Sequence, residues 1–184
     1  MNGINLMVEE HVLIKRMLKI VRKACYKAIK TSELVYEDFE AMMDFIKYYA
    51  DDHHHGKEEK LLFNKMVEFA GPAAEKLVTH GMLVEHDLGR LHMAELRKAL
   101  AAYRLGDDEA ILDVIANAIS YTHLLHRHID KEDQVVYPFA ERTLEVHVID
   151  DLNLACVDFE AKQSALGVQE KYLKVVERLE RIYL

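Results

Sequence analysis

The stretch HHGKEEKLLF at residues 54–63 recurs as HIDKEDQVVY at residues 128–137. In both copies a histidine is followed by Lys at the third position, Glu at the fourth and an acid at the fifth, and the copy ends with two apolar residues and an aromatic one. A Glu-His pair precedes each copy, and the histidine of that pair lies 43 residues upstream in the first case and 42 in the second. This internal repeat predicts two helical hairpins of equal length that carry the same chemical groups.

Helix-breaking residues are scarce, because the chain of 184 residues has only 7 Gly and 2 Pro. The apolar residues recur with a helical period between these breaks. The pattern predicts an all-α protein: an antiparallel up-down four-helix bundle over residues 1–140, with a C-terminal helical extension over residues 141–184. We expect the extension to pack on the bundle or to mediate association. The predicted helices cover residues 5–30, 32–69, 72–105 and 107–138.

The helical period also places the repeated histidine and glutamate of each copy on the buried face. The residues on this face form an apolar stripe along the helix. We expect the stripe to continue to the apolar residue three positions after the glutamate, which is Leu61 in one copy and Val135 in the other. Six side chains thereby point into one core: His11, His54, Glu58, His86, His128 and Glu132.

Two buried carboxylates beside imidazoles need a partner, since burying an unpaired carboxylate costs many kcal/mol. A pair of metal ions, bridged by the carboxylates and capped by the imidazoles, satisfies all six groups. The donors are nitrogen and oxygen without thiolate, which favours iron or manganese, with zinc as a competitor.

The order of these motifs resembles the hemerythrin-like, or HHE, cation-binding domain over residues 5–140. The resemblance implies a four-helix bundle around a non-haem di-iron centre, in which Glu58 and Glu132 bridge two iron ions and the four histidines are terminal ligands. The chain departs from the oxygen-carrying hemerythrins at Met82, where they have a second histidine one turn before the equivalent of His86. It also has Glu132 four residues after His128, where they have aspartate at the fifth position. We therefore expect open coordination positions.

This resemblance leads to the expectation of a protein that binds or reacts with O2, NO or peroxide at the di-iron centre. The alternative is a non-enzymatic metal-binding sensor or iron-handling module that acts through a protein partner. Association as a homodimer through the C-terminal helix is a further expectation.

The residues around the two copies leave several alternatives open. His55 and Glu59 form a second His-x-x-x-Glu register beside that of His54 and Glu58, and we prefer the latter because it aligns with the repeat. Lys57 and Lys131 are expected to face outward, and His53 and His55 are expected to flank His54 on other faces of the helix. Five further residues could add to the metal site, and the sequence leaves this open: His53, His55, Glu59, His123 and His126.

Composition excludes several other classes of partner. A net charge of −8 argues against binding to a nucleic-acid backbone. No run approaches the ~18–20 apolar residues of a membrane span. Cys25 and Cys156 are isolated, which predicts neither a disulfide framework nor a thiolate metal site, and we expect a cytoplasmic location.

Overall fold

The first long helix begins where Asn2 caps it, since the Asn2 side chain accepts a hydrogen bond of 2.9 Å from the backbone N–H of Asn5. The computed structural model describes residues 2–184, and within that range it contains six helices and no strand. The helices are α1 (Gly3–Thr31), α2 (residues 36–69), α3 (residues 71–104), α4 (residues 111–143), α5 (Val146–Ala165) and α6 (Val168–Tyr183). A single 3₁₀ turn, Asp108–Ala110, precedes α4.

This architecture confirms the predicted all-α bundle with a C-terminal extension. Gly71, Gly106 and Gly167 have φ values of +79°, +98° and +70°, a backbone conformation that favours glycine, and each lies where one helix gives way to the next. Two details differ from the sequence expectation. The fourth helix continues past Pro138 to Thr143, and the extension consists of two helices because Gly167 interrupts it.

Wider π-helical turns interrupt three of the long helices. They lie at Ile46–His55 and Glu58–Phe63 in α2, at Val78–Met82 in α3 and at Glu132–Val136 in α4. A π turn contains more residues than an α turn, so the residues that face the core after such a turn are shifted to later positions in the sequence. Leu62 and Val136 are fully buried, whereas Val135 is 52% exposed and Leu61 is half-buried. The predicted stripe was therefore wrong by one residue after each repeated glutamate.

Two apolar clusters fill the bundle, and the predicted ligands lie between them. On α1, Met7 belongs to one cluster and Ile14 to the other, with His11 in between. The C-terminal helices enter both clusters. α5 contributes Leu152 and Cys156 to the first, and α6 contributes residues 172, 176 and 179 to the second. The extension thus contributes to the apolar interior, and its role in association stays a prediction.

Within residues 2–184 no helix combines the length and the apolar character needed to cross a membrane.

Candidate metal centre

The six predicted side chains meet at the middle of the bundle, where none is more than 2% exposed. What we call the first ligand group comprises His11 and His54 together with Glu58 and Glu132. Nε2 of His11 lies 2.9 Å from Nε2 of His54 and 3.3 Å from a carboxylate oxygen of Glu132. Nε2 of His54 lies 3.7 Å from a carboxylate oxygen of Glu58.

The second ligand group comprises His86 and His128 around the same two carboxylates. Nε2 of His86 lies 3.0 Å from Nε2 of His128 and 3.6 Å from the Glu58 oxygen that also faces His54. Nε2 of His128 lies 2.9 Å from the other oxygen of Glu132. Glu58 and Glu132 therefore stand between two pairs of imidazoles, one pair from each half of the repeat.

These distances and the unsatisfied atoms fit two bound cations. Two ligands at right angles around a metal, with bonds of about 2.1 Å, lie about 3.0 Å apart, which matches the spacing within each imidazole pair. One oxygen of Glu58 and both oxygens of Glu132 are buried without a hydrogen-bond partner. Buried oxygens of this kind are rare and require an explanation. A cation in each group would supply the missing partners.

The charges of the two carboxyl groups lead to the same conclusion. Burial and the neighbouring charge of Glu132 raise the pKa of Glu58 well above its ordinary value. Burial would also raise the pKa of Glu132, but His128, His11 and His86 together hold it well below its ordinary value. Two carboxyl groups this close do not both ionise in a buried site without added positive charge. Metal ions are the form of positive charge that this donor set accommodates.

A second layer of four carboxylates orients the four imidazoles. Each accepts a hydrogen bond from the Nδ1 atom of one histidine, which leaves Nε2 facing the centre: Glu10 from His54 at 2.8 Å, Asp133 from His11 at 2.7 Å, Glu85 from His128 at 2.9 Å and Glu59 from His86 at 2.7 Å. Such partners fix the tautomer and raise the basicity of a ligand. All four occupy repeated positions of the motif, so the signal was present in the sequence, although we assigned these residues no such role from it.

The repeat is broken at two positions beside the centre. His55 stands where the second copy has Ile129, and its ring stacks on that of His86 with centroids 3.9 Å apart. A ring nitrogen of His55 joins Glu58, His86 and His128 as a possible metal-binding atom. Tyr137 stands where the first copy has Phe63, and its hydroxyl donates a hydrogen bond of 2.5 Å to Glu58. His55 and Tyr137 thus make the two halves of the centre chemically different.

Two expectations about the neighbouring residues were wrong. Lys57 was expected to face outward, but it is fully buried, and His53 and His55, taken as flanking on other faces, are buried beside His54. Consecutive residues of the π-helical segment Ile46–His55 are separated by a smaller angle than in an α-helix, which brings His53 and the following Lys57 inward. The position of His55 is buried in the second copy as well, where Ile129 occupies it. Lys131 is half exposed. His123 and His126 are exposed and lie outside both ligand groups.

A cleft of about 520 Å³ leads from the surface to the second ligand group. Its lining includes His55, His86, Tyr121 and Arg90, but neither His11 nor His54. Arg90 spans the rim, where its guanidinium donates to Asp51 at 2.8 and 2.9 Å and to residue 59 at 2.6 Å. This cleft therefore opens toward the second ligand group.

In the absence of metal, the protein is expected to lose stability as the pH rises from 6.5 to 9. Burial alone would lower the pKa of His128, but Glu132 and Glu85 outweigh it and raise the pKa to about 9. A raised pKa means that the folded state binds a proton that the unfolded state releases above pH 6.5, so this stabilisation is complete below 6.5 and is lost by about 9. His11 and Glu58, whose pKa values are also raised, act in the same direction.

Urea unfolding of chelator-treated protein at pH 6.5 and pH 9 measures this loss, which should be on the order of 2 kcal/mol. Metal-loaded protein is the control, because a bound imidazole cannot take up a proton at the ligating nitrogen. Equal stability of the metal-free protein at the two pH values would contradict the assignment of these charges.

Comparison with known proteins gives one match. The sequence matches the family described as "Hemerythrin HHE cation binding domain" over residues 2–140. Comparisons with curated proteins and with solved structures give no match.

Proposed function

Because the chain belongs to the hemerythrin HHE cation-binding domain family, we propose that it is a non-haem di-iron protein that binds or reacts with O2, NO or peroxide. The observation that carries the proposal is the pair of ligand groups around Glu58 and Glu132: the two imidazole nitrogens lie 2.9 Å apart in one and 3.0 Å apart in the other, and the same Glu58 oxygen lies 3.7 and 3.6 Å from one nitrogen of each pair. Iron ions bound there would supply redox chemistry and open coordination positions for a small molecule. The residues that would hold them are His11, His54, Glu58, His86, His128 and Glu132, with His55 as a further donor.

The numbers of donors support binding of an additional ligand. The first ligand group offers two imidazoles and two shared carboxylates, which leaves positions free around a metal that prefers six. The second ligand group has the same set and also His55 against His86. Met82 stands where the oxygen-carrying hemerythrins have a further histidine ligand. In the second ligand group, the imidazole of His55 on α2 would take the place of that missing ligand.

The surroundings favour a small uncharged ligand. Part of the cleft wall is apolar or aromatic, with Tyr121, Leu125 and Met93, and its charged groups include the ion-paired Asp51 and Arg90. The centre itself is shielded from bulk water, because its side chains are almost fully buried. Tyr137 donates a hydrogen bond to Glu58 and holds that carboxylate in place. A diatomic molecule or peroxide is the class of partner that this enclosure admits.

Anaerobic purification followed by elemental analysis and optical spectroscopy tests the proposal. We expect two iron ions per chain, in preference to manganese or zinc, and an absorption spectrum that changes when air, NO or peroxide is admitted. A variant in which the exposed His123 and His126 are both replaced by Gln is the control and should bind the same amount of iron. Iron-loaded protein whose spectrum ignores air, NO, azide and peroxide would contradict the proposed reactivity.

A further inference from the structure

A buried cluster of charged residues lies directly beside the first ligand group. The ammonium of Lys57, which has no exposed surface, donates hydrogen bonds to the carboxylates of Glu10 and Glu160. Nε2 of His53 lies 3.0 Å from Glu10 and 3.3 Å from Glu160. Glu160 is on α5, 20 residues beyond the last residue that matches the family. The C-terminal extension therefore contributes a charge to this cluster.

The cluster connects to the metal centre through one hydrogen bond. The same Glu10 carboxylate accepts the 2.8 Å hydrogen bond from Nδ1 of His54, a proposed metal ligand. Three residues of the cluster, Glu10, His53 and Glu160, have donor atoms close enough to hold a metal ion. The ammonium of Lys57 already lies between the two carboxylates, so these residues do not need a third metal. The cluster is better described as a charge-balanced support for His54.

The equivalent position in the other half of the repeat shows why a second carboxylate is needed here. Lys131 also donates to the carboxylate that supports a ligand, since it bonds Glu85, which accepts from His128. The Lys131 side chain is 50% exposed, however, and water screens its charge. Lys57 has no such contact with solvent, so its full charge acts on Glu10 unless another carboxylate shares it.

We propose that Glu160 is a positioning residue for the metal centre: it balances the charge of Lys57, keeps Glu10 available as the acceptor for His54, and thereby sets how strongly His54 binds metal. This inference rests on the proposed di-metal function. Without the charge of Glu160, Lys57 draws electron density from Glu10 and weakens the hydrogen bond from Nδ1 of His54. A weaker acceptor at Nδ1 makes Nε2 a poorer metal ligand. The effect concerns the first ligand group and leaves the second unchanged.

The variant that tests this is Glu160→Gln, with Glu180→Gln as the matched control. Glu180 also ties the extension to the bundle, because it accepts two hydrogen bonds of 2.8 Å from Arg16 of α1, but it reaches no ligand. The probe is Co(II), titrated into metal-free protein. In Glu160→Gln we expect the affinity of one of the two sites to fall about 10-fold, the size of effect that loss of a supporting group has on a ligand. The other site and both sites of Glu180→Gln should be unaffected.

A spectroscopic readout separates support of the ligand from a general loosening of the structure. In the Co(II)-loaded protein the exchangeable Nδ1–H protons of the ligand histidines give paramagnetically shifted NMR signals. Glu160→Gln should move one of these signals, and Glu160→Asp, which retains the charge, should return it toward the wild-type position. Circular dichroism shows whether each variant keeps its helix content.

The other outcomes overturn the inference in distinguishable ways. If the wild-type protein binds two Co(II) ions and Glu160→Gln does so with the same affinities and signals, the role of Glu160 is wrong and the metal centre stands. If Glu180→Gln has the same effect as Glu160→Gln, the extension acts only as a tether. If the wild-type protein binds no metal, the proposed function fails together with the inference.

Discussion

For the proposed two-metal centre, Glu58→Gln is expected to abolish binding of both ions while the protein stays folded. Glu58 has donor atoms in both ligand groups, and one of its oxygens faces His54 at 3.7 Å and His86 at 3.6 Å. Gln keeps the shape of the side chain but removes the charge, and its amide cannot bridge two cations as a carboxylate does. Metal content measured after anaerobic loading with Fe(II) should fall from two ions per chain to well below one.

Two comparisons make this result specific. Glu68→Gln changes the same charge at an exposed position on the same helix and should bind both ions. His11→Gln removes a donor from the first ligand group alone and should retain one ion. The metal-free Glu58→Gln protein should be no less stable than wild type, since the raised pKa of Glu58 keeps that carboxyl uncharged there and Gln has the same shape and charge. A Glu58→Gln protein that still binds two ions would refute the shared bridge.

Lys57→Met is expected to reduce the free energy of unfolding of the metal-free protein by about 3–5 kcal/mol, the cost of removing one partner from a buried ion pair. The ammonium of Lys57 is the cation that the carboxylates of Glu10 and Glu160 share, and neither is well exposed. Methionine fills nearly the same volume, so lost packing contributes little. Urea denaturation followed by circular dichroism measures the change.

The repeat provides the control, because Lys131 occupies the same motif position as Lys57 and also pairs with one carboxylate. Its side chain is half exposed, and removing a pair screened by solvent costs at most about 1 kcal/mol. Lys131→Met should therefore unfold almost like the wild type. If the two variants lose the same stability, Lys57 does not have the buried charge-balancing role that the structure assigns to it.

The fold was predictable because its signals are local. Long helical periods separated at Thr31-Ser32, Gly71 and Gly106 were enough to predict four helices and their antiparallel order. The position of Gly167 was equally visible, but a glycine between two amphipathic segments can be tolerated within a helix. Its positive φ became evident only in the structure. The π-helical turns were not predicted, because two adjacent apolar residues follow each repeated glutamate, at 61–62 and at 135–136, and the sequence alone fits burial of either one.

The six proposed ligands were found because the sequence repeats them with their spacing. The residues that the sequence analysis missed are those that depart from the repeat. His55 aligns with Ile129, which is also buried, but nothing in the repeat indicated that a histidine at this position would stack on His86. Glu160 lies outside the repeat altogether, and its proximity to Glu10 depends on how α5 packs. Departures from an internal repeat have no second copy against which they can be checked.

The division of the ligands between the two hairpins has a consequence for the order of folding. The hairpin of α1 and α2 contains both imidazoles of the first ligand group but only one shared carboxylate, Glu58; the other, Glu132, comes from the opposite hairpin. The hydrogen bond between Glu10 and His54 forms within a hairpin, whereas that between His11 and Asp133 joins residues 122 positions apart. Local contacts form early and distant ones late. We therefore expect each hairpin to bring a half-site to the docking step, and metal ions bound at the completed centre would stabilise the docked state in proportion to their affinity for it.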